Sequence, residues 1–176
     1  MNRRTYLATG AGVSLTGLGG CLSILEGGER VDGTHVWLQT IEVFWEVDEQ
    51  RHKGSVLNIR YHPDATVAGE VWTELEAIAS DVTDIQVDGS LDQELNEQFE
   101  DVEYLVGFCW EAEDELTCSN LFVDRDVFNR AQFGDSLDVR FDDRDVSIRT
   151  VREADRDVAA DEAEVLTFEF EDRYSW

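Results

Sequence analysis

Apolar and polar residues alternate along most of the chain with a period of two, which is the pattern of β-strands that bury one face. Over residues 35–47 one face carries Trp37, Ile41, Val43, Trp45 and Val47. Over residues 56–61, Leu57, Ile59 and Tyr61 alternate with Asn58 and Arg60. The polar segment 48–54 separates these two runs. The sequence therefore predicts an antiparallel hairpin here.

Between residues 66 and 82 the apolar positions follow the period of a helix instead. At 100° per residue they fall within an arc of about 140°. They are Val67, Val71, Trp72, Leu75, Ile78, Ala79 and Val82. This pattern predicts an amphipathic helix near 66–82. A short strand at 84–87 is predicted next, and then a second helix capped by Ser90, with Leu91, Leu95 and Phe99 at steps of four.

From residue 102 onward the alternation predicts strands almost throughout. The segments 102–112, 115–123, 137–141, 146–148 and 166–170 alternate, and the last of them is predicted to turn Leu166, Phe168 and Phe170 inward. One helical turn is predicted at 125–131. Five antiparallel strands are typical of a small barrel or a sandwich. The predicted fold is therefore an α+β, antiparallel β-rich single domain. It has one amphipathic helix near 66–82 and a five-stranded small-barrel or sandwich-like C-terminal half.

The first twenty-one residues, MNRRTYLATGAGVSLTGLGGC, have a different pattern. Arg3 and Arg4 precede an acid-free, glycine-rich stretch that is too short to span a membrane. This segment resembles the twin-arginine lipoprotein signals of haloarchaea, with Leu18-Gly19-Gly20-Cys21 as the lipobox. The resemblance implies an export signal at 1–20 that is removed, and lipid on Cys21. A short linker at 21–33 and a mature domain at 34–176, β-rich from 102, would follow on the extracellular face of the cell membrane.

Composition and charge agree with this resemblance. The net charge is −26, and removal of the two arginines with the signal makes it −28. At molar salt the Debye length is about 3 Å, so a surface crowded with carboxylates repels itself little. We therefore expect a halophilic protein. The chain offers no basic footprint for nucleic acid, and membrane contact is expected only through the lipid at Cys21.

The two remaining cysteines are predicted to form a disulfide. Cys109 and Cys118 oppose each other in a hairpin whose turn is Glu113-Asp114. Counting out from this turn places them in a non-hydrogen-bonded pair, where Cα atoms lie about 4.5 Å apart, within reach of a disulfide. The alternative is two free buried thiols. An exported protein favours the bridge, although Glu-Asp is not a preferred pair for a two-residue turn.

The sequence contains no motif for catalysis or for a cofactor. The three histidines lack metal-ligand spacing, and no nucleophile motif or phosphate-binding loop is present. Two acidic clusters do not match a calcium loop; they are Asp142, Asp143 and Asp145, and Asp155, Asp157, Asp161 and Glu162. The leading hypothesis is a non-enzymatic, lipid-anchored binding or interaction module of the cell envelope. The alternatives are a secreted hydrolase that uses carboxylates and a calcium-binding envelope protein.

Overall fold

The alternating segments form eight strands of one mixed sheet. We describe the fold from a computed structural model, in which residues 29–62, 64–113, 115–142, 145–153, 155 and 157–174 are described. The strands are β1 (Glu29–Val47), β2 (Gln50–Tyr61), β3 (Val67–Trp72), β4 (Asp101–Ala112), β5 (Glu115–Val123), β6 (Ser136–Asp142), β7 (Asp145–Arg152) and β8 (Glu164–Phe168). The helices are α1 (Gly89–Gln98), α2 (Arg125–Arg130) and α3 (Phe170–Arg173), and 3-10 segments lie at Thr73–Ala79 and Ala160–Glu162.

Strand β1 is the axis of the fold because it pairs with three others. Its first residues pair with β6, and the rest lies between β4 and β2. The main order is β5-β4-β1-β2-β3-β8, while β6 joins β1 and β7 joins β6. Gly33 has a φ of 73°, close to the register shift where β1 leaves β6. The strand begins at Glu29, so the last residues of the predicted 21–33 linker belong to the sheet.

The first hairpin is tighter than predicted. The ladder between β1 and β2 continues to the pair Val47 and Gln50, so the turn contains only Asp48 and Glu49. Both have positive φ, 51° and 63°. A two-residue turn needs a left-handed backbone conformation at both of its residues, because only then does the turn match the twist of the two strands. The polar segment predicted as a loop at 48–54 is therefore mostly strand.

The helix predicted near 66–82 is wrong in its first half. Residues 67–72 form β3, which pairs with β2 and, in parallel, with β8. A 3-10 helix follows only at Thr73–Ala79. The β-branched Val67 and Val71 both point inward from the strand and are buried. Because Gly69 weakens a helix and the edge of β2 was open for pairing, tertiary hydrogen bonding outweighed the local helical period.

Segment 84–88 forms no strand, but the backbone groups of Ile85 and Val87 are hydrogen-bonded to side-chain amides. The side-chain amide of Gln132 accepts from Ile85 N at 2.8 Å and donates to Ile85 O at 3.0 Å. Asn129 makes the same pair of bonds with Val87, both at 2.8 Å. These two amides replace a neighbouring strand. Helix α1 then begins after Asp88, whose carboxylate accepts from Ser90 N and Leu91 N. Asp88, and not the predicted Ser90, is thus the cap.

The C-terminal half is not a separate five-stranded barrel. Strands β4 and β5 extend the sheet from one side of β1, β6 and β7 join its N-terminal part, and β8 pairs with β3. Among the described residues this sheet does not close on itself. The predicted β-rich α+β fold is confirmed. The strands after residue 102 do not form a unit of their own, because the long strand β1 offers several stretches of backbone with which other strands can pair.

The core lies on the face of the sheet that carries Ile41 and Val43, both fully buried. Phe170 of α3 is buried at the centre of one aromatic cluster, with ring centroids 5.1 Å from Trp45 and 5.3 Å from Phe99. Leu95 of α1 and Phe99, the C-cap residue that follows it, are also buried. Leu166, predicted to point inward, is 66% exposed because β8 presents it on the opposite face.

Candidate functional site

The outer face of the sheet carries a site lined by several polar side chains that have no partner among the described residues. Register places side chains of neighbouring strands in rows across this face. One row runs from Arg60 on β2 through Ala68 on β3 to Glu164 on β8, and the next contains Asn58 and Glu70. Opposed residues on paired strands share a face. The small Ala68 side chain therefore separates a guanidinium from a carboxylate.

A groove of about 510 Å³ lies over these rows. Ala68 and Asn58 form part of its floor, and the C-terminal residues Arg173 and Tyr174 line one end. It combines hydrogen-bonding side chains with the exposed Leu166. Pockets for small ligands have this mixture of apolar contact and a few placed polar groups. We refer to this feature as the outer groove.

The end of the outer groove is fixed by interactions of its own. Arg173 donates to both carboxylate oxygens of Glu70, at 2.6 and 2.9 Å. Its guanidinium also lies 3.9 Å from the Phe168 ring centroid. The Arg173 hydrogen bond lowers the pKa of Glu70 below its usual range. Glu70 and Arg173 therefore form one wall of the outer groove, with their charges engaged by each other.

Tyr174 closes the same end through backbone contacts. Its hydroxyl accepts from Ser55 N at 3.0 Å and donates to Ser55 O at 3.2 Å. The ring lies against Gly54, where a Cβ atom would stand only 2.7 Å from it. A side chain larger than hydrogen at position 54 would displace the tyrosine. Glycine is thus required by close packing here.

Four groups in the outer groove have no such engagement. Arg60, Asn58, His62 and Glu164 make no side-chain hydrogen bond or ion pair with any residue in the described ranges of the chain. Arg60, His62 and Glu164 are exposed. They provide donors and acceptors over a small area. The arrangement can bind a polar ligand without first breaking an internal bond.

A second hollow of about 790 Å³ lies between α2, β7 and the segment around residue 84. Its central amides, Asn129 and Gln132, are already bonded to backbone groups of Ile85 and Val87. A ligand there would compete with the bonds that hold this segment. The outer groove is therefore the better candidate.

The predicted cysteine pair is confirmed. Cys109 and Cys118 form a disulfide with a Cα–Cα distance of 4.1 Å, which fits the non-hydrogen-bonded pair. Ala112 pairs with Glu115, as the turn prediction required, and Glu113 has a φ of 51°. The sulfurs lie on the face opposite Val106 and Phe108, both fully buried.

The predicted export and lipidation residues, Arg3, Arg4 and Cys21, lie outside the described residues.

The histidines fall in three separate places. His35 is buried on β1 opposite Cys109, His52 stacks on Trp45 with ring centroids 5.8 Å apart, and His62 lines the outer groove.

The sequence did not predict the outer groove, although it placed Asn58 and Arg60 on the polar side of their strand. Within the part of the chain that the structure covers, no three His, Cys, Asp or Glu side chains are grouped closely enough to hold a metal ion.

The described part of the chain has no helix with the length and apolarity needed to cross a membrane. The sequence matches no protein-family model, and no curated protein or solved structure matches it at a significant level. The N-terminal signal and the outer groove are therefore the features of this chain that bear on its function.

Proposed function

We propose that this chain is a lipid-anchored, extracellular binding module of the cell envelope, and that it holds its ligand in the outer groove. The anchoring part of the proposal is supported by Arg3, Arg4 and the lipobox that ends at Cys21. The binding part is supported by one observation in particular. Arg60 faces Glu164 across Ala68, and neither charge is engaged by a described residue.

The chemistry of the outer groove favours a neutral, hydroxyl-rich ligand such as a short saccharide. Arg60 donates only, Glu164 accepts only, and the amide of Asn58 does both. A hydroxyl group can satisfy each of them because it is both donor and acceptor. The opposed charges balance, so the site does not select for a charged ligand. Leu166, exposed beside them, offers apolar contact for the C–H groups of a sugar ring.

The carboxyl groups support binding over hydrolysis as the function. A carboxyl that acts as a general acid near neutral pH needs a raised pKa. Wherever the described carboxyls show a shift, the pKa is lowered, by hydrogen bonds in every case; they are Asp64, Glu70, Asp81 and Asp138. Of these four carboxyls only Glu70 lines the outer groove, where its lowered pKa keeps it ionised and suits it to positioning a ligand more than to donating a proton.

Binding can be tested by titration of the isotope-labelled chain with disaccharides in molar NaCl. Maltose, cellobiose and chitobiose serve as probes, followed through amide chemical shifts. We expect shifts concentrated at Asn58, Arg60 and Glu164. Arg60→Ala should weaken binding by roughly tenfold or more, since it removes a charge-assisted donor. Arg149→Ala is the matched control, because Arg149 is an exposed arginine on β7 without an ion-pair partner in the described ranges.

If no probe shifts the groove residues, the saccharide hypothesis is wrong. If the control variant weakens binding as much as Arg60→Ala, the ligand lies elsewhere. Anchoring is tested separately in the native host. Cys21→Ser should release soluble protein, and replacement of Arg3 and Arg4 by lysine should block export. Membrane-bound Cys21→Ser protein would contradict the lipidation hypothesis.

A further inference from the structure

Strand β5 leaves one edge of the sheet open. It is the terminal strand of the main order and pairs only with β4 among the described residues. Strand β7 approaches it but forms no ladder with it. An unpaired edge presents a row of free N–H and C=O groups. Many proteins protect such an edge with charges or proline; among the described residues of β5 the only charged one is Glu115, at the first position of the strand.

The register with β4 shows which residues present those free groups. Cys109 and Cys118, with Cα atoms 4.1 Å apart, are a non-hydrogen-bonded pair. The backbone groups of residue 118 therefore point away from β4, and so do those of every second residue on either side. These residues are Leu116, Cys118, Asn120 and Phe122, and all four are exposed.

The same strand carries no charge from residue 116 to residue 123, although 31% of the chain is Asp, Glu, Lys or Arg. Its edge also carries two large exposed apolar side chains, Leu116 at 64% and Phe122 at 53%. A surface this acidic keeps most parts of two copies apart. Two copies that meet along the edge of β5 would therefore bring no like charges together between residues 116 and 123.

The positions of the two apolar residues are symmetric. Leu116 and Phe122 each lie three residues from Ser119. If a second β5 pairs antiparallel about a two-fold axis at Ser119, Leu116 of each copy lies opposite Phe122 of the other, on the same face. The outward backbone groups of residue 116 then face those of residue 122 of the other copy, and those of residue 118 face those of residue 120. Such a contact is isologous, because one surface serves both copies and the assembly closes as a dimer.

We propose that this chain forms a two-fold dimer through antiparallel pairing of β5 with β5 of a second copy, centred on Ser119. Backbone hydrogen bonds extend the sheet across both copies, and two Leu116–Phe122 contacts fix the register. The remaining surfaces are strongly acidic. Dimerisation should therefore be stronger at molar salt, where repulsion is screened, than in dilute buffer.

The test uses the full chain with Cys21→Ser, so that lipid does not contribute, in analytical ultracentrifugation at about 2 M NaCl. We expect a concentration-dependent dimer. Phe122→Glu should weaken it by roughly tenfold or more, because both copies gain a charge in the contact. Leu166→Glu is the matched control. It changes an equally exposed apolar residue on the opposite edge strand and should leave the dimer intact.

Two further variants test the pairing itself. Asn120→Pro removes an outward N–H but spares the ladder with β4, so the dimer should be lost while the thermal unfolding curve keeps its single transition. Ser119→Cys should form a disulfide with itself across the axis, since the two residues meet in a non-hydrogen-bonded pair. Thr117→Cys, displaced from the axis, should not form one.

A monomer at all concentrations up to about 0.5 mM, at which a dimer with a Kd of about 0.1 mM or tighter would be mostly formed, would overturn the proposal. So would a dimer that survives Phe122→Glu, or one that dissociates with Leu166→Glu. The outer groove variant Arg60→Ala should leave the dimer unchanged. The dimer and the saccharide site can therefore fail independently.

Discussion

Removal of the Cys109–Cys118 disulfide should lower stability mainly through the unfolded chain. The bridge closes a loop with a sequence separation of 9. The chain-entropy model assigns a loop of this size about −8.7 cal/mol/K, or about 2.6 kcal/mol at 25 °C. Cys118 is exposed, whereas Cys109 is buried, at 4% exposure. Cys109→Ala/Cys118→Ala therefore removes one buried sulfur, and the entropic cost should be the larger part of the loss.

Urea unfolding of the Cys21→Ser chain at about 2 M NaCl, which screens the acidic surface, measures this loss. We expect the double variant to lose about 2–3 kcal/mol and its m-value to rise slightly, because the released unfolded chain exposes more surface. Reduction of the parent chain with dithiothreitol is the control and should produce the same loss. A loss below about 1 kcal/mol in both samples would show that the bridge does not constrain the unfolded state.

Three other perturbations test the remaining parts of the structure. Gly69→Ala should lower the free energy of unfolding in urea by about 1–3 kcal/mol, because a Cβ atom there would overlap the backbone oxygen of Asn58. Gly89→Ala is the control. It lies at an open position of α1 and should be neutral or slightly stabilising. Tyr104→Phe should cost about 1.5–3 kcal/mol at pH 8, since the hydroxyl donates to Asp92 at 2.6 Å. Burial and this hydrogen bond raise the pKa of Tyr104, so the hydroxyl ionises first in the unfolded chain, and the measured cost should shrink as pH rises above about 10. The melting temperature followed by circular dichroism should rise steeply from dilute buffer to molar NaCl; a flat response would contradict the halophilic interpretation of the net charge of −26.

The local patterns of the sequence were sufficient where neighbours in the chain are also neighbours in space. The β4–β5 hairpin was predicted with its register and its disulfide, because a two-residue turn fixes every pair that follows it. The second helix was also predicted from the four-residue spacing of Leu91, Leu95 and Phe99; α1 spans Gly89–Gln98 and Leu95 is buried. In both cases the decisive interactions span only a few residues.

Elements that depend on distant partners were the ones predicted wrongly. Residues 67–72 have a helical spacing of apolar side chains, but β2 and β8 pair with them on both sides and make them a strand. The wrong orientation of Leu166 has the same origin, since parallel pairing with β3 decides which face of β8 is buried. No local pattern contains the information about which backbone edge remains free.

The sequence by itself determined the strand-rich composition, the acidic surface, the cysteine pair and the predicted export signal at Arg3 and Arg4. The tertiary structure alone decided the outer groove. Arg60 and Glu164 are separated by about a hundred residues in the chain, and only the order β2-β3-β8 places them in one row. The physical reason is that composition and spacing act locally, whereas a binding surface is created by strand order, which depends on where distant backbone hydrogen bonds can form.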